Sequence, residues 1–246
     1  MTIIQELLRD DYSIEQAISL QIKYQKLSNQ IPTQNYLKGI ESINTIVGVD
    51  ISYFKKDNSE YGVACAVNWD LKQKSLKSRY LVKDRIHFPY VAGLLGFREC
   101  KLLAKAISKC PETPDLLMCD GHGIIHPRKF GEATHLGLAL DIPSIGIAKN
   151  PFIGFYDRNK VATLEGEKTP IYENDPSKHT FGKINELLGY LVCLNNGSKP
   201  VYISSGYKIS LGIALKVSLI STIGHRQPEP IYLADKISRE DITTLN

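Results

Sequence analysis

Three acidic residues stand where the surrounding sequence calls for apolar ones. Asp50 interrupts the β-branched run from Ile46 to Tyr53, Asp120 follows the apolar stretch Leu116 to Cys119, and Glu99 opens a segment with helical periodicity. A carboxylate buried alone loses its hydration without replacement, so such placements persist where acids are paired or hold a cation. Three carboxylates converging on neighbouring strand ends would share one solution, a bound divalent ion. Hard oxygen donors suit magnesium, with manganese as its substitute, and the absence of clustered Cys and His argues against zinc. At such a centre an ion activates water and neutralises charge on a leaving oxygen, which is what phosphodiester hydrolysis requires. Each acid taken singly also fits a plainer role, as a turn or cap residue for an Asp and as a complement to the helix dipole for Glu99. Only their conjunction points to chemistry.

The elements that would position these acids are readable in order. Asp11 to Leu27 sets Ile14, Ala17, Ile18 and Ile22 at helical intervals, and Ser13 with Gln16 three residues on makes a capping box. Ile46–Tyr53, Gly62–Trp69 and Leu76–Val82 have strand composition and predict a meander. Phe97 to Cys110 predicts a helix with Leu102, Leu103, Ala106 and Ile107 on one face, stopped by Pro111 and Pro114. Leu116–Cys119 reads as a buried parallel strand opening into a loop at Asp120-Gly121. Phe130 to Leu140 then reads as a helix and Ser144 to Ala148 as another buried strand. Asn150 to Lys178 is polar and Pro-bearing, a loop-rich excursion with room for one hairpin. Tyr190–Leu194 and Val201–Ser205 flank the Asn195-Asn196-Gly197 turn. A helix over Gly212 to Ser221 and a short one after Pro230 complete the chain. Strands first, then alternating helices and strands, predict one α/β domain over residues 1–246, with an N-terminal helix near 11–29 and a core near 44–240.

Composition bounds the class. With 246 residues, 43% hydrophobic and 23% charged, the chain can bury a core. No signal peptide or membrane-spanning run is visible, and five scattered cysteines without CxxC spacing predict reduced thiols in a cytoplasmic protein. The net charge of +4 is small, but from Asp70 to Cys110 ten Lys or Arg face only Asp70, Asp84 and Glu99. That stretch suits a polyanion as well as it suits a solvated face.

The stretches VGVDISYFKKD (Val47 to Asp57), FPYVAGLLGFREC (Phe88 to Cys100), CDGHGIIHPRKFGEATHLGLALDIPSIGIAKN (Cys119 to Asn150) and RQPEPIYLAD (Arg226 to Asp235) resemble the successive motifs of the endonuclease V family, in its order and spacing. The resemblance spans most of the chain. It implies a ribonuclease H-like mixed β-sheet flanked by helices, magnesium dependence, and cleavage at the second phosphodiester bond 3′ to deoxyinosine or inosine. It also implies a partner nucleic acid carrying that lesion, no membrane association, and a monomer.

By matching position, Asp50 and Asp120 would be principal metal ligands, with Glu99 completing the acidic site and Asp235 a further carboxylate beside it. His126 of HPR would support a metal-bound water or the scissile phosphate, and Lys149 of AKN would steady the attacking water or the phosphate. Pro89, Tyr90, Val91 and Ala92 match the family's wedge, a rigid apolar tip that fills the gap left when the target base leaves the stack. Gly93, Leu95 and Gly121 match positions lining the base pocket, where small side chains let backbone groups approach hypoxanthine. Three positions depart from the family pattern: Ala92 stands for a second wedge proline, Gly96 for a serine, and Tyr207 for a histidine. Two other readings compete. One is an endoribonuclease specific for inosine in RNA; the other is a protein that binds inosine-containing or branched nucleic acid without cutting, against which the retained acids count.

Overall fold

In the computed structural model, which describes residues 3–176 and 185–243, the β-branched run around Asp50 forms the central long strand of an eight-stranded sheet. Strands β1 (Thr45–Lys56), β2 (Ser59–Asp70) and β3 (Ser75–Arg85) form the expected antiparallel meander. On the other side of β1 lie β4 (Leu116–Cys119) and β5 (Ser144–Ala148), both parallel to it and buried at every position. Strands β6 (Lys168–Tyr172), β7 (Leu187–Val192) and β8 (Val201–Tyr207) complete the order β3-β2-β1-β4-β5-β8-β7-β6. This is a mixed α/β sheet of the ribonuclease H-like kind.

Helices cover both faces because the inner strands are apolar on both. On one face α2 (Leu95–Ile107) and α3 (Glu132–Leu140) bury Val47, Val49, Ala64, Leu103 and Leu136 in one cluster. On the other, α4 (Leu211–Ile220) and α5 (Glu229–Thr243) cover Ile46, Met118, Ile145 and Ile203. The approach of α5 depends on Gly48, where an added Cβ would sit 2.3 Å from the Pro230 backbone. Helix α1 (Ile14–Asn29) begins at the Ser13 capping box and lies outside the α2–α3 layer.

Several expectations change. The C-terminal helix is not short: α5 runs 15 residues, because its apolar positions Ile231, Ala234 and Ile237 find the faces of β1 and β2 to cover. The excursion after Asn150 holds no hairpin of its own among the described residues. Its strand β6 pairs instead with β7, and within the loop only a Phe155–Tyr172 bridge forms; the last residues to Lys178 lie outside the described residues. On α1 the buried stripe is Ala17, Gln21 and Tyr24, whereas Ile14 and Ile22 are 42% and 44% exposed. A polar Gln in that stripe hid its true face from periodicity. Among the described residues no helix is long and apolar enough to cross a membrane.

The basic stretch is divided rather than gathered. Lys72 and Lys74 lie in the β2–β3 turn beside Thr45, about 16 Å along the strand from Asp50 at the usual rise per residue. Arg85 stands at the other end, across from Tyr61. Arg98 is buried on Glu60 and the Phe88 carbonyl, and Lys101, Lys105 and Lys83 pair with Asp10, Asp84 and Asp241.

Candidate active site

The parallel pairing of β1 with β4 brings Val49 beside Cys119, so Asp120, leaving the end of β4, comes level with Asp50 in the continuing strand β1. Side chains alternate across a strand, and Asp50 shares the face of Ser52, whose Oγ lies 2.7 Å from Ser238 Oγ on α5. The same helix, one turn earlier, carries Asp235. Lys149 follows β5 and reaches across: its Nζ is 2.6 Å from Asp120 Oδ2 and 3.7 Å from Asp235 Oδ2. Arg239 holds the other Asp235 oxygen at 2.6 Å. Asp50, Asp120, Asp235 and Lys149 thus border one open cleft.

Electrostatics shows how closely the acids oppose one another. Burial, followed by repulsion from Asp120, Asp235 and Glu99, raises the Asp50 carboxyl well above the ordinary carboxylate range, and Lys149 relieves only part of this. Glu99 lies in the second turn of α2, not its start, and is 7% exposed. Burial pushes its carboxyl up to about 7, although the Tyr53 hydroxyl donates to it. Lys149 is held protonated: desolvation works against its charge, but Asp120 and then Asp235 outweigh it and raise its pKa.

The set consists of hard oxygen donors whose mutual repulsion is incompletely neutralised, which fits a divalent cation such as magnesium and not zinc. As the side chains stand, no three His, Cys, Asp or Glu among the described residues are gathered closely enough to hold a metal ion. In the arrangement present, Lys149 and the Gln227 amide, at 2.6 and 2.9 Å, occupy the two oxygens of Asp120.

A second cleft, of about 340 Å³, opens on the far side of Asp120 and Lys149 and shares both residues. Tyr90, Val91, Ala92, Gly93, Leu95 and Gly121 all border it. Pro89 is exposed on the loop before them, and Tyr90 is 74% exposed at the tip. Gly93 has φ +84°, and a Cβ on Gly121 would lie 2.4 Å from Glu132 Oε2. A side chain at Gly93 would strain its backbone, and one at Gly121 would displace the buried Glu132 carboxyl.

His126 borders this second cleft, which Asp120 also lines. Its Nε2 donates to the Gly93 carbonyl at 3.0 Å, and its Nδ1 accepts from the amides of Arg128 and Phe130 at 3.2 and 3.4 Å. Both ring nitrogens are engaged by the protein, and burial pushes the imidazole down to about 4. Of the departures from pattern, Tyr207 donates to Asp141 at 2.9 Å, and Gly96 packs on His135, whose Nδ1 would meet a Cβ there at 2.4 Å.

Sequence reasoning missed two neighbours of the acids. Glu132, 5% exposed, pairs with Glu99, and burial raises its carboxyl well above the ordinary range. An acid opening the otherwise apolar GEATHLGLAL segment carried the same signal as Asp50. Gln227, holding Asp120, gave no such signal, because an amide in a loop is ordinary.

Comparison with known proteins places these features in a family. The profile described as Endonuclease V matches residues 25–236. The endonuclease V of Nostoc punctiforme is 36% identical over 226 residues, covering 92% of this chain and 94% of that protein. The crystal structure of the Bacillus subtilis enzyme superposes with a TM-score of 0.83 at 28% identity, covering 100% of this chain and 98% of the other. A Ciona intestinalis endonuclease V, solved with a DNA containing an inosine followed by a ribo-adenosine, gives 0.77 at 25% identity, covering 96% of this chain and all of that one.

Proposed function

The chain belongs to the endonuclease V family of nucleases, and from that premise we propose that it is a divalent-metal-dependent enzyme that cuts nucleic acid at the second phosphodiester bond 3′ to deoxyinosine, in DNA repair. The observation that carries the reading is the pair of clefts meeting at Asp120 and Lys149. One has the size and small-residue walls to take a base, and the other bears the acids, so a strand crossing from one to the other lays a phosphate beside the carboxylates. The Ciona complex with inosine-containing DNA supports the same substrate class.

Asp50 and Asp120 would hold magnesium, or manganese in its place, with Glu99 and Asp235 completing the acidic shell; when bound, the ion supplies an activated water and charge neutralisation at the leaving oxygen. Lys149 is protonated, so it serves as a donor and positive charge toward phosphate and not as a general base. Tyr90, on its exposed tip, would stack in the space that the target base vacates. At Gly93 and Gly121 the backbone can approach the base edge, and an N–H there favours the hypoxanthine carbonyl over the adenine amino group. The five free thiols fit a reducing cytoplasm, where the enzyme would act as a monomer.

Nicking assays on matched deoxyinosine DNA and inosine RNA, with and without magnesium, test the reading. Cleavage confined to RNA would make the chain an endoribonuclease, and metal-independent binding without cleavage would make it a binding protein.

A further inference from the structure

The carbonyl of Gly93, directly after the exposed tip, accepts three hydrogen bonds from side chains of distant segments. Gln21 Nε2 reaches it at 2.9 Å, Arg128 Nη2 at 2.8 Å and His126 Nε2 at 3.0 Å. Gln21 comes from helix α1, outside every motif that carries the acids, and is only 1% exposed. Its amide also donates to the Phe130 carbonyl at 3.2 Å and accepts from Arg128 Nε. Every polar atom of this side chain is therefore engaged with one or the other wall of the base-side cleft: the tip loop through Gly93, and the His126–Phe130 segment through Arg128 and Phe130.

Packing alone does not call for a glutamine there. It sits between Ala17 and Tyr24 in an otherwise apolar stripe, and Ala17 packs with Phe88, Leu94 and Phe97, the residues that root the tip loop. An apolar chain of similar length would bury as well at this position, without the cost of desolvating an amide. What the amide adds to the direct bonds from His126 and Arg128 to Gly93 is a common anchor on helix α1 for both segments, which the sheet does not itself connect, since one follows β3 and the other follows β4. Gly93 also has a positive φ of +84°, and Arg128 Nη2 would lie 2.9 Å from any Cβ there, so the loop conformation and the clamp are mutually dependent.

We propose that Gln21 is a positioning residue for lesion recognition: helix α1, through its amide, holds the Gly93 wall of the cleft at the distance from the His126–Phe130 wall that admits hypoxanthine and excludes larger or differently hydrogen-bonded bases. The proposal rests on the reading of that cleft as the base site. Gln21 touches none of the acids, so its loss acts on recognition and leaves the chemical step in place.

The test compares wild type with Gln21→Leu and Gln21→Glu in the full chain with magnesium. Leu removes all of the amide's contacts; Glu keeps an acceptor for Arg128 but loses both donations. Steady-state cleavage is measured on single-stranded oligonucleotides with one central deoxyinosine or deoxyguanosine, alongside thermal melting. For both variants the expected result is KM for the deoxyinosine strand raised about tenfold, with discrimination against deoxyguanosine falling by a similar factor and kcat within about threefold of wild type. Unchanged KM and discrimination in either folded variant, with only a lowered melting temperature, would overturn the proposal and leave Gln21 a packing residue. Should Gln21→Leu fail to fold, Gln21→Glu carries the comparison. Failure of the wild-type protein to nick the deoxyinosine strand would instead refute the proposed function, and this inference with it.

Discussion

His135 allows one buried group to be isolated by measurement. Its ring is wholly buried in α3, and Nε2 donates to the Leu7 carbonyl at 2.6 Å, so that nitrogen carries the proton. Phe97 packs edge-on with ring centroids 4.7 Å apart, and Phe130 lies at 5.4 Å. Nδ1 lies against Gly96 with no hydrogen-bond partner among the described residues. A second proton would place a charge in this apolar box, and burial accordingly holds the imidazole down to about 4. An unfolded chain takes up that proton near pH 6.5. The folded pKa is depressed, so the unfolded state binds more protons between these values. Stability from the neutral ring is full above about pH 6.5 and is lost as pH falls toward 4. The whole effect is roughly 3 kcal/mol, of which about 2 kcal/mol is lost by pH 5.

His135→Asn removes the titration at that site. Urea unfolding of metal-free protein, followed by the fluorescence of Trp69, the sole tryptophan and 4% exposed, gives stability at about pH 7.5 and at pH 5 for both proteins. Any fixed change from the altered Leu7 contact cancels in the difference between the two pH values. So do His122 and His126, which burial also holds near 4. The wild type is expected to lose about 2 kcal/mol more than the variant on acidification. Parallel pH profiles, within about 0.5 kcal/mol, would refute the assignment of His135 as a neutral structural residue.

Asp50→Ala and Asp120→Ala are each expected to abolish cleavage at saturating magnesium, and retained nicking counts against the metal assignment. In metal-free protein Asp50→Ala should not lower the melting temperature, because it relieves carboxylate repulsion, whereas Asp120→Ala should lower it by leaving Lys149 and the Gln227 amide without their partner. Tyr90→Ala should weaken binding of a deoxyinosine duplex roughly ten- to a hundredfold and of a single strand much less, since only the duplex must be opened. Single-turnover cleavage of the two substrates decides it, and equal losses would reduce Tyr90 to a loop residue. Affinity should fall steeply between low and moderate salt as counterions are released. Fluorescence anisotropy should show that slope lowered in Arg85→Ala and unchanged in a Lys72→Ala, Lys74→Ala double variant, because of these three Arg85 alone stands at the end toward which β1 continues past Asp50.

Strand identity, the capping box at Ser13 and the exceptional placement of Asp50 and Asp120 are local properties, and local properties are written in the order of residues. The acids stood out because a carboxylate in a β-branched run contradicts its neighbours, and a signal that needs only neighbours survives without a fold. The extent of α5 was not legible: its mixed composition forms a 15-residue helix because β1 and β2 offer an apolar face to cover. Nor was the buried face of α1, since Gln21 reads as exposed until its partners at Gly93, Arg128 and Phe130 are known.

The chain by itself therefore determined which residue types could do chemistry, which segments would be strands and helices, and which family's motifs they resemble. The fold alone decided what they face. It set Lys149 between Asp120 and Asp235, held His126 on the Gly93 carbonyl, paired Glu132 with Glu99, and divided a basic run between two ends of the sheet. The physical reason is range: propensity, capping and alternation act over a few residues, whereas Lys149 lies 29 positions from Asp120 and 86 from Asp235, and such segments are brought together only by sheet register and helix packing.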